Sequence, residues 1–504
     1  MRMRPASSLI ITVLGLVTVI PSMLQLPIAT ASYTPSTTDA FFLAMVIPMV
    51  VSAPLFNAVA STLVPALFQA QVEAHGDATR LAQSVASVLV VATASGSLLI
   101  AIVTSLLSQY QPHWIPVLSD GLVARFIWWL LPWVVIQSPV TVLQGYALAC
   151  GKTWLPSLAN LAQQVSIAAL LYGLSRLHGV IGLPICYILG CAIQLPLILL
   201  LLPQSRKVLE PSFSGSDVME RLLTAARPVC IGTFAMQGGV VATRIIASGF
   251  GPGAITALEC ATKLNTAFFD IACNGVLTTS FARWSQHISR GSAVLLRRDF
   301  IQTVIVSLFL LGPCCTALFI AKTPILITWL GKLYASNPGV VTFAAQLFGI
   351  LVLSLPLEAA GRLAVRLYLA GHQTFVPSIL GVARVFASIM LLILLTPLFS
   401  GFSLALSESL ASLLTLLLLL LWPANILANT LGPIVMGFAR MVLPLAVAGT
   451  TGHFFLEGCF VSAPLVGAFL AIFITILMYV LTSLAFNRQI SLDSLRAIHL
   501  IPAM

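Results

Sequence analysis

Residues 224–280 read TAARPVCIGTFAMQGGVVATRIIASGFGPGAITALECATKLNTAFFDIACNGVLTTS and decide the fold class. They contain two long, mostly apolar runs that are separated only by Gly251-Pro252-Gly253. Each run exceeds the roughly 20 residues that a membrane-spanning helix needs, and Gly-Pro-Gly is typical of a tight turn. The stretch therefore predicts two antiparallel helices that form a hairpin in a membrane.

The composition of the whole chain of 504 residues agrees with a membrane protein. Hydrophobic residues make up 59% and charged residues only 8%, and the mean hydropathy is +1.05. A soluble globular chain carries about 25% charged residues. The composition therefore excludes a soluble multidomain enzyme and a disordered protein. Continuous apolar runs also exclude an outer-membrane barrel, whose strands alternate apolar and polar residues.

Apolar runs along the chain predict an all-α polytopic membrane protein with fourteen transmembrane helices. The first run contains Pro21 and Pro27 and is longer than a signal-peptide core, so we interpret it as a bent spanning helix. We predict an N-terminal lobe with spans one to six, a cytoplasmic linker, a second lobe with spans seven to twelve, and a C-terminal region with two helices and a cytoplasmic tail. In that order, these four regions cover residues 1–202, 203–222, 223–425 and 426–504. The fourteen predicted spans are 8–30, 41–67, 82–107, 124–148, 155–174, 179–202, 224–249, 254–280, 300–321, 340–364, 375–397, 401–423, 434–453 and 461–484.

The cationic residues predict the orientation. The formal net charge is +10, and with the N-terminus in the cytoplasm most Lys and Arg residues of the loops lie inside. Only Arg176, Lys322 and Lys332 lie in outside loops, as the positive-inside rule requires. Both termini are then cytoplasmic. The nine cysteines form no CxxC pair, and we predict no metal site and no cofactor.

Ionisable residues inside spans are the candidate functional residues, because a charge in the membrane usually faces a cavity or a partner. Glu259, Lys263 and Asp270 have spacings that place them on one face of the eighth span. The remaining candidates are in the seventh and in the tenth to twelfth spans: Arg244, Glu358, Arg362, Arg366, Arg384 and Glu408. The acidic candidates are either ion-pair partners or coupling groups: Glu259, Asp270, Glu358 and Glu408. Arg384 has no acidic residue within one turn, so it needs a carboxylate from another helix, such as Glu408, an anionic ligand or water.

Motifs of soluble enzyme chemistry are absent from the sequence. We find no HExxH, no P-loop and no GxSxG sequence, so ATP-driven transport and hydrolysis are not expected. A membrane-embedded lipid enzyme needs an acid–base couple near an interface. His113 with Asp120 is the one nearby couple of this kind in an outside loop.

Four stretches in register resemble the MurJ (MviN) family of lipid II flippases, within the superfamily of multidrug, oligosaccharidyl-lipid and polysaccharide exporters. The first is Thr38-Asp39-Ala40-Phe41-Phe42, similar to the family's TDAFF segment before the second helix. The others are TRIIASGFGPGAITALECATKL at 243–264, RLAVRLYLAGHQTFVP at 362–377 and GFSLAL at 401–406. The resemblance covers most of residues 8–425.

This resemblance implies a V-shaped transporter with two six-helix lobes around a central cavity and two C-terminal helices. Family members move undecaprenyl-diphosphate-linked glycan across the bacterial cytoplasmic membrane by alternating access, and the precursor serves peptidoglycan or polysaccharide synthesis. The implied partners are this glycan lipid, the bilayer and cell-envelope glycan synthesis proteins, with no nucleic acid and no nucleotide. A diphosphate needs cations in the cavity. The predicted set is Lys263, Arg244, Arg362 and Arg384.

The sequence also departs from the family. Three cavity arginines of the family's first two helices align with Thr18, Leu24 and Ser52, and residues 5–79 contain no Lys or Arg. The family's arginine in the eighth helix aligns with Lys263, a point charge rather than a bidentate fork. The acidic residue before the seventh-helix arginine aligns with Thr243. We therefore favour a related glycan lipid over lipid II as the substrate.

Two other functions remain open at this level. A cation-coupled exporter of the multidrug (MATE) type commonly needs an acidic residue in the N-lobe cavity. Asp39 lies at a predicted helix start and is interpreted as a structural cap. A homologue that no longer transports and acts as a scaffold for glycan synthesis is the second alternative.

Overall fold

The computed structural model is almost entirely α-helical in the part that it describes, which is 5–72, 78–110, 121–174, 179–212, 217–289, 292–371, 375–421, 430–460 and 464–486. No β-strand occurs in these ranges. The predicted cytoplasmic tail beyond residue 486 and part of the predicted linker lie outside them. The all-α polytopic class is confirmed.

The helices of the N-terminal half are α1 (Pro5–Ser32), α2 (Pro35–Val72), α3 (Ala78–Tyr110), α4 (Leu122–Ala149), α5 (Leu155–Leu174), α6 (Gly182–Ala192), α7 (Gln194–Leu201) and α8 (Asp217–Ser248). The helices that follow are α9 (Ala254–Ser289), α10 (Ala293–Ile320), α11 (Lys322–Trp329), α12 (Gly331–Ser336), α13 (Pro338–Ala370), α14 (Phe375–Phe399), α15 (Ser403–Leu421), α16 (Leu431–Phe460) and α17 (Pro464–Phe486).

Each of the fourteen predicted spans coincides with helical structure, and the sixth is divided into α6 and α7. In the described part of the chain, 11 stretches are long and apolar enough to span a membrane. One of them, 375–421, comprises both α14 and α15. Helices α5 and α9 are not among them, because amide and charged side chains lower their hydropathy. The protein is therefore a multi-pass membrane protein, and the number of crossings remains a prediction.

The chain divides into two compact units, Met1–Thr256 and Ala257–Met504. The boundary lies three residues into α9. The first unit thus contains α8 as well as α1 to α7. The lobe boundaries expected from sequence, with a linker at 203–222, remain a prediction.

The first unit has a continuous apolar core. Helix α2 packs against α4 and α8, α3 packs against α4, and α1 packs against α5. Leu63, Leu143 and Leu155 are fully buried where these helices meet. Gly145 permits the close approach of α4 to α2, since a Cβ there would lie 3.0 Å from a methyl group of Leu63.

In the second unit, α10 packs against α13, α16 and α17. Helix α15 packs against α13 and α14, and α16 packs along α17. Phe348 and Tyr368 of α13 are fully buried, and the Tyr368 hydroxyl donates a hydrogen bond to the carbonyl of Leu419. These contacts fix α13, α14 and α15, which carry most of the predicted charged residues.

Candidate functional site

Arg362 of α13 is held by a carboxylate and an aromatic ring. Its Nη2 atom lies 2.6 Å from Oε1 of Glu358, one helical turn earlier. Its guanidinium carbon lies 3.9 Å from the ring centroid of Phe269 on α9. The side chain of Arg362 is 47% exposed and that of Glu358 is 17% exposed. The guanidinium is therefore neutralised and oriented, yet one side of it is accessible.

Arg384 of α14 pairs with Glu408 of α15. The second carboxylate oxygen of Glu408 accepts a hydrogen bond from the Ser388 hydroxyl at 3.1 Å. The side chains of Arg384 and Glu408 are 31% and 46% exposed. Of the partners that the sequence left open for Arg384, the structure supplies a carboxylate from another helix.

Lys263 and Glu259 lie one turn apart on α9, and the Glu259 carboxylate acts electrostatically on the Lys263 ammonium. Both side chains are partly buried, as is Asp270 two turns further along. Each predicted cation of the second unit therefore has a carboxylate close to it. This arrangement carries no excess of positive charge.

Arg244 has a different role from the other predicted cations. It lies on α8 in the first unit, and its Nη1 atom donates a hydrogen bond to the carbonyl of Phe42 on α2. A bond of this kind ties two helices together, so part of the donor capacity of Arg244 is already used in packing.

Asp39 caps a helix far from it in sequence. It lies inside α2, which begins at Pro35, and not at a helix start as the sequence suggested. Its carboxylate accepts the backbone N–H groups of Gly253 at 2.6 Å and Thr256 at 2.7 Å, together with the Thr256 hydroxyl at 2.6 Å. These donors lie at the N-terminus of α9, where free N–H groups favour a negative charge.

The predicted turn before α9 makes this cap possible. Gly251 and Gly253 have φ values of 104° and 91°, a region that side chains with a Cβ rarely adopt. Pro252 lies between them, and the Gly253 N–H points to Asp39. The Gly-Pro-Gly sequence and Asp39 therefore form one structural element.

At the three positions where the family has cavity arginines, the first unit offers no charge. The hydroxyl of Thr18 donates to the carbonyl of Leu14 at 2.6 Å, and that of Ser52 donates to the carbonyl of Pro48 at 3.0 Å. Both bonds stay within their own helices, and Leu24 is apolar. Polar residues of this unit that contact one another between helices lie on α4, α5 and α7.

Carboxamide side chains form a network across α4, α5 and α7, which we call the amide network. The buried Gln194 donates from Nε2 to Oε1 of Gln163 at 2.7 Å and to Oδ1 of Asn160 at 3.1 Å. Gln144 donates to the same oxygen of Asn160 at 3.1 Å. Gln163 in turn donates to the sulfur of Cys191 at 2.7 Å.

A second amide contact joins α1 to α5. Gln25 is buried and donates to Oε1 of Gln164 at 2.7 Å. Tyr187 of α6 donates to Oε1 of Gln25 at 3.5 Å. Hydrogen bonds of this type between membrane helices contribute about 0.6 kcal/mol each on average, so the amides first of all hold the helices together.

The amide network also has unused capacity. Asn160 is exposed, and its Nδ2 group donates to no side chain or carbonyl in the described part of the chain. The Oε1 atom of Gln137 on α4 is buried without a partner among the described residues. A ligand with hydroxyl or acetamido groups would satisfy such donors and acceptors.

Sequence reasoning missed these amides because it searched the spans for ionisable residues. A signal was present. Gln137 and Gln144 have a spacing of seven, and Asn160, Gln163 and Gln164 have spacings of three and four, so each set shares one helix face. His113 and Asp120, the enzyme-type couple, lie outside the described residues. No cluster of three or more metal-ligating side chains occurs within the described ranges.

The model of the family described as "Lipid II flippase MurJ" matches residues 28–486. The chain belongs to this family. Comparison with curated protein sequences finds no match. Among solved structures, a lipid II flippase MurJ in an inward closed conformation has a TM-score of 0.77 and 17% identity, covering 96% of this chain and 98% of that one.

Transporters described as members of the MOP superfamily, that of multidrug, oligosaccharidyl-lipid and polysaccharide exporters, are also similar in fold. An inward-facing multidrug resistance transporter of the MATE family has a TM-score of 0.64 and 13% identity, over 84% of this chain and 94% of that one. A superfamily transporter from Pyrococcus furiosus, whose binding pocket has reverse polarity according to its description, has a TM-score of 0.56 and 13% identity, over 87% and 98%. At these identities the similarity shows the fold. Membership of the MurJ family, and the expectation that the chain is a transporter and not an enzyme, rest on the family match.

Proposed function

We propose that this chain is a flippase that moves an undecaprenyl-diphosphate-linked glycan across the cytoplasmic membrane by alternating access. The observation that carries the proposal is the match to the MurJ family over residues 28–486. The substrate is lipid II or a related polysaccharide precursor, and the missing N-terminal arginines favour a related precursor. In this proposal both termini are cytoplasmic, which the positive-inside distribution supports.

The diphosphate is bound in this proposal by the paired cations of the second unit. A charge near the bilayer centre costs about 2.5–3.5 kcal/mol on insertion scales, so unpaired cations would destabilise the empty transporter. Glu358 and Glu408 neutralise Arg362 and Arg384 in the structure. An incoming phosphate replaces these carboxylates, because guanidinium groups bind phosphate through two parallel hydrogen bonds.

This exchange links substrate binding to the state of an ion pair. When phosphate takes the place of the Glu408 carboxylate on Arg384, the carboxylate loses its counter-charge. Release of the substrate restores the ion pair. Glu408 is therefore the coupling residue of the proposal, with Glu358 in the same role on α13. Lys263 adds a third positive charge, which the nearby Glu259 carboxylate partly offsets.

The amide network serves the glycan. Sugar hydroxyl and acetamido groups are neutral and need donors and acceptors rather than charges. Asn160 presents an exposed amide in an apolar helix, and Gln144 beside it is half-buried. We infer that Asn160 and Gln144 bind neutral groups of the glycan during transport.

Complementation of a bacterium depleted of its own lipid II flippase tests the proposal. The wild type, Lys263→Ala, Arg384→Ala and a control, Lys332→Ala, are expressed to equal levels in the membrane. Lys332 is exposed on α12, outside the charged group. Lipid-linked precursor is quantified alongside growth.

Rescue by the wild type and by Lys332→Ala, lost in Arg384→Ala, supports transport of lipid II by the paired cations. Failure of a well-inserted wild type excludes lipid II as substrate, and export of exopolysaccharide in the native host is then measured with the same variants. Normal export by Arg384→Ala and Lys263→Ala in both assays would overturn the assignment of the site. If deletion of the gene leaves export unchanged, the result favours the scaffold alternative.

A further inference from the structure

A cavity of about 790 Å³ lies in the second unit between the end of α10, α11 and α16. This volume is in the range of sites that hold small molecules, about 300–1,000 Å³. Its walls are mainly apolar, from Phe319, Ile320, Pro324, Leu445 and Leu456. The charged residues assigned above to the diphosphate do not line it.

Small residues explain why the cavity is at this end of the helices. A Cβ at Gly312 would lie 3.1 Å from a methyl group of Leu445, and one at Gly449 would lie 3.1 Å from the methyl group of Thr316. Helices α10 and α16 are thus in close contact along this stretch. Helix α10 ends at Ile320 and α11 begins at Lys322, and both of these residues line the cavity beside α16.

A cation lies at one wall of the cavity. The Lys322 side chain lies across Gly349 of α13, where a Cβ would be only 2.8 Å from its Cδ atom. Its Nζ atom lies 3.8 Å from the ring centroid of Phe319. No carboxylate among the described residues forms an ion pair with this ammonium. Partial burial lowers the pKa of Lys322, as expected for an ammonium without a counter-charge.

A carboxylate lies at another wall. Glu457 of α16 has its Oε1 atom 3.3 Å from Nε2 of His453, and both residues line the cavity. Their side chains are 69% and 63% exposed. The cavity thus combines an apolar interior with one unpaired cation and one accessible anion.

This charge pattern selects among membrane lipids. A lipid with an anionic headgroup would satisfy Lys322 but be repelled by Glu457. A neutral lipid would leave both charges unmatched. A zwitterionic headgroup satisfies both, and a primary ammonium is better than a quaternary one because it donates hydrogen bonds to a carboxylate.

We propose that this cavity binds a phosphatidylethanolamine-type lipid. One acyl chain fills the apolar interior, the phosphate contacts Lys322, and the ethanolamine ammonium contacts Glu457. Such a lipid would stabilise α16 against α10 independently of the transported substrate. The site and its ligand do not depend on the proposed flippase function.

The test is lipid retention by the purified full-length chain, measured by native mass spectrometry after exchange into vesicles of equal parts ethanolamine, choline and glycerol phospholipids. The wild type is expected to retain the ethanolamine lipid in excess. The phosphate that contacts Lys322 is common to the three lipids. Because an exposed ion pair contributes at most about 1 kcal/mol, Lys322→Gln is expected to lower the retention of all three by up to about fivefold. Glu457→Lys makes both walls cationic and is expected to shift the preference to the glycerol lipid.

Lys332→Gln is the matched control and is expected to retain the wild-type preference. Ala446→Phe fills the cavity from α16 and is expected to lower retention of all three lipids through the acyl chain. Equal retention of the three lipids by the wild type overturns the proposal. With folding verified by size-exclusion chromatography, unchanged retention in Lys322→Gln together with an unchanged preference in Glu457→Lys overturns it as well.

Discussion

The two units of the molecule hold polar groups in their helices by different chemistry. The first unit contains a network of neutral amides, in which Gln194 donates to Gln163 and Asn160. In the second unit the main contacts are ion pairs, Arg362 with Glu358 and Arg384 with Glu408. The comparison shows how a family member with no Lys or Arg in residues 5–79 retains polar surfaces inside a membrane.

The difference has a functional meaning in the proposed account. Neutral amides keep their hydrogen bonds at any ordinary pH and suit the neutral part of a glycan lipid. Ion pairs can exchange a carboxylate for a phosphate. We therefore expect the first unit to determine which glycan is accepted, and the second unit to bind the diphosphate and respond to it.

The largest effect is expected at the exception to this division, Asp39, a buried carboxylate in the first unit. Asp39→Ala leaves two backbone N–H groups and the Thr256 hydroxyl without their acceptor. Each buried group left unsatisfied costs about 1–3 kcal/mol, so the loss of stability from the three groups should be at least about 3 kcal/mol. Thermal unfolding in detergent at a fixed scan rate measures it, with the exposed Glu210→Ala as control. Equal midpoints for the Asp39 variant and the wild type would contradict the capping role.

The next effect tests the amide network itself. Gln194→Leu removes the donor to Gln163 and Asn160. The Gln163 oxygen loses its partner, whereas the Asn160 oxygen keeps its bond from Gln144. The expected loss is about 1–2 kcal/mol, equal at pH 5 and pH 8 because no charge is involved. Gln144→Leu removes one bond at a half-buried position and should cost less. A loss that varies with pH would show that a titrating group takes part.

A smaller effect on stability, with a clear effect on transport, is expected in the second unit. Glu408→Gln breaks an accessible ion pair, which contributes at most about 1 kcal/mol. It also frees Arg384 for phosphate, so binding of undecaprenyl diphosphate should tighten by a few-fold while transport slows. Native mass spectrometry and the complementation assay measure the two quantities. Glu210→Gln serves as the control, and unchanged binding in Glu408→Gln would refute the exchange.

The smallest effect is expected for Arg362→Lys. The substitution keeps the ion pair with Glu358 but loses the flat guanidinium stacked on Phe269 at 3.9 Å. Cation–π contacts at accessible sites contribute about 0.5–1 kcal/mol, so the unfolding midpoint should fall only slightly. Phe269→Leu in the same background separates the two contributions. A large fall for Arg362→Lys alone would mean that the bidentate geometry matters more than the charge.

Much of the fold was accessible from sequence because continuous apolar runs and the Gly251-Pro252-Gly253 turn are local signals. The family and the all-α class are confirmed. The sequence did not predict that Asp39 caps α9, because Gly253, whose N–H group it accepts, lies 214 residues away. The pairing of Arg384 with Glu408 was one of several possibilities that only tertiary structure separates.

The central claim is that the second unit binds the diphosphate and the first unit binds the glycan. It is tested most directly by measuring, on the purified chain, the affinities for undecaprenyl diphosphate and for its glycosylated form in the wild type, Arg384→Ala and Asn160→Leu. The account predicts that Arg384→Ala weakens both ligands equally, and that Asn160→Leu weakens only the glycosylated one. Equal weakening of both ligands by Asn160→Leu, or no weakening of either by Arg384→Ala, would contradict it.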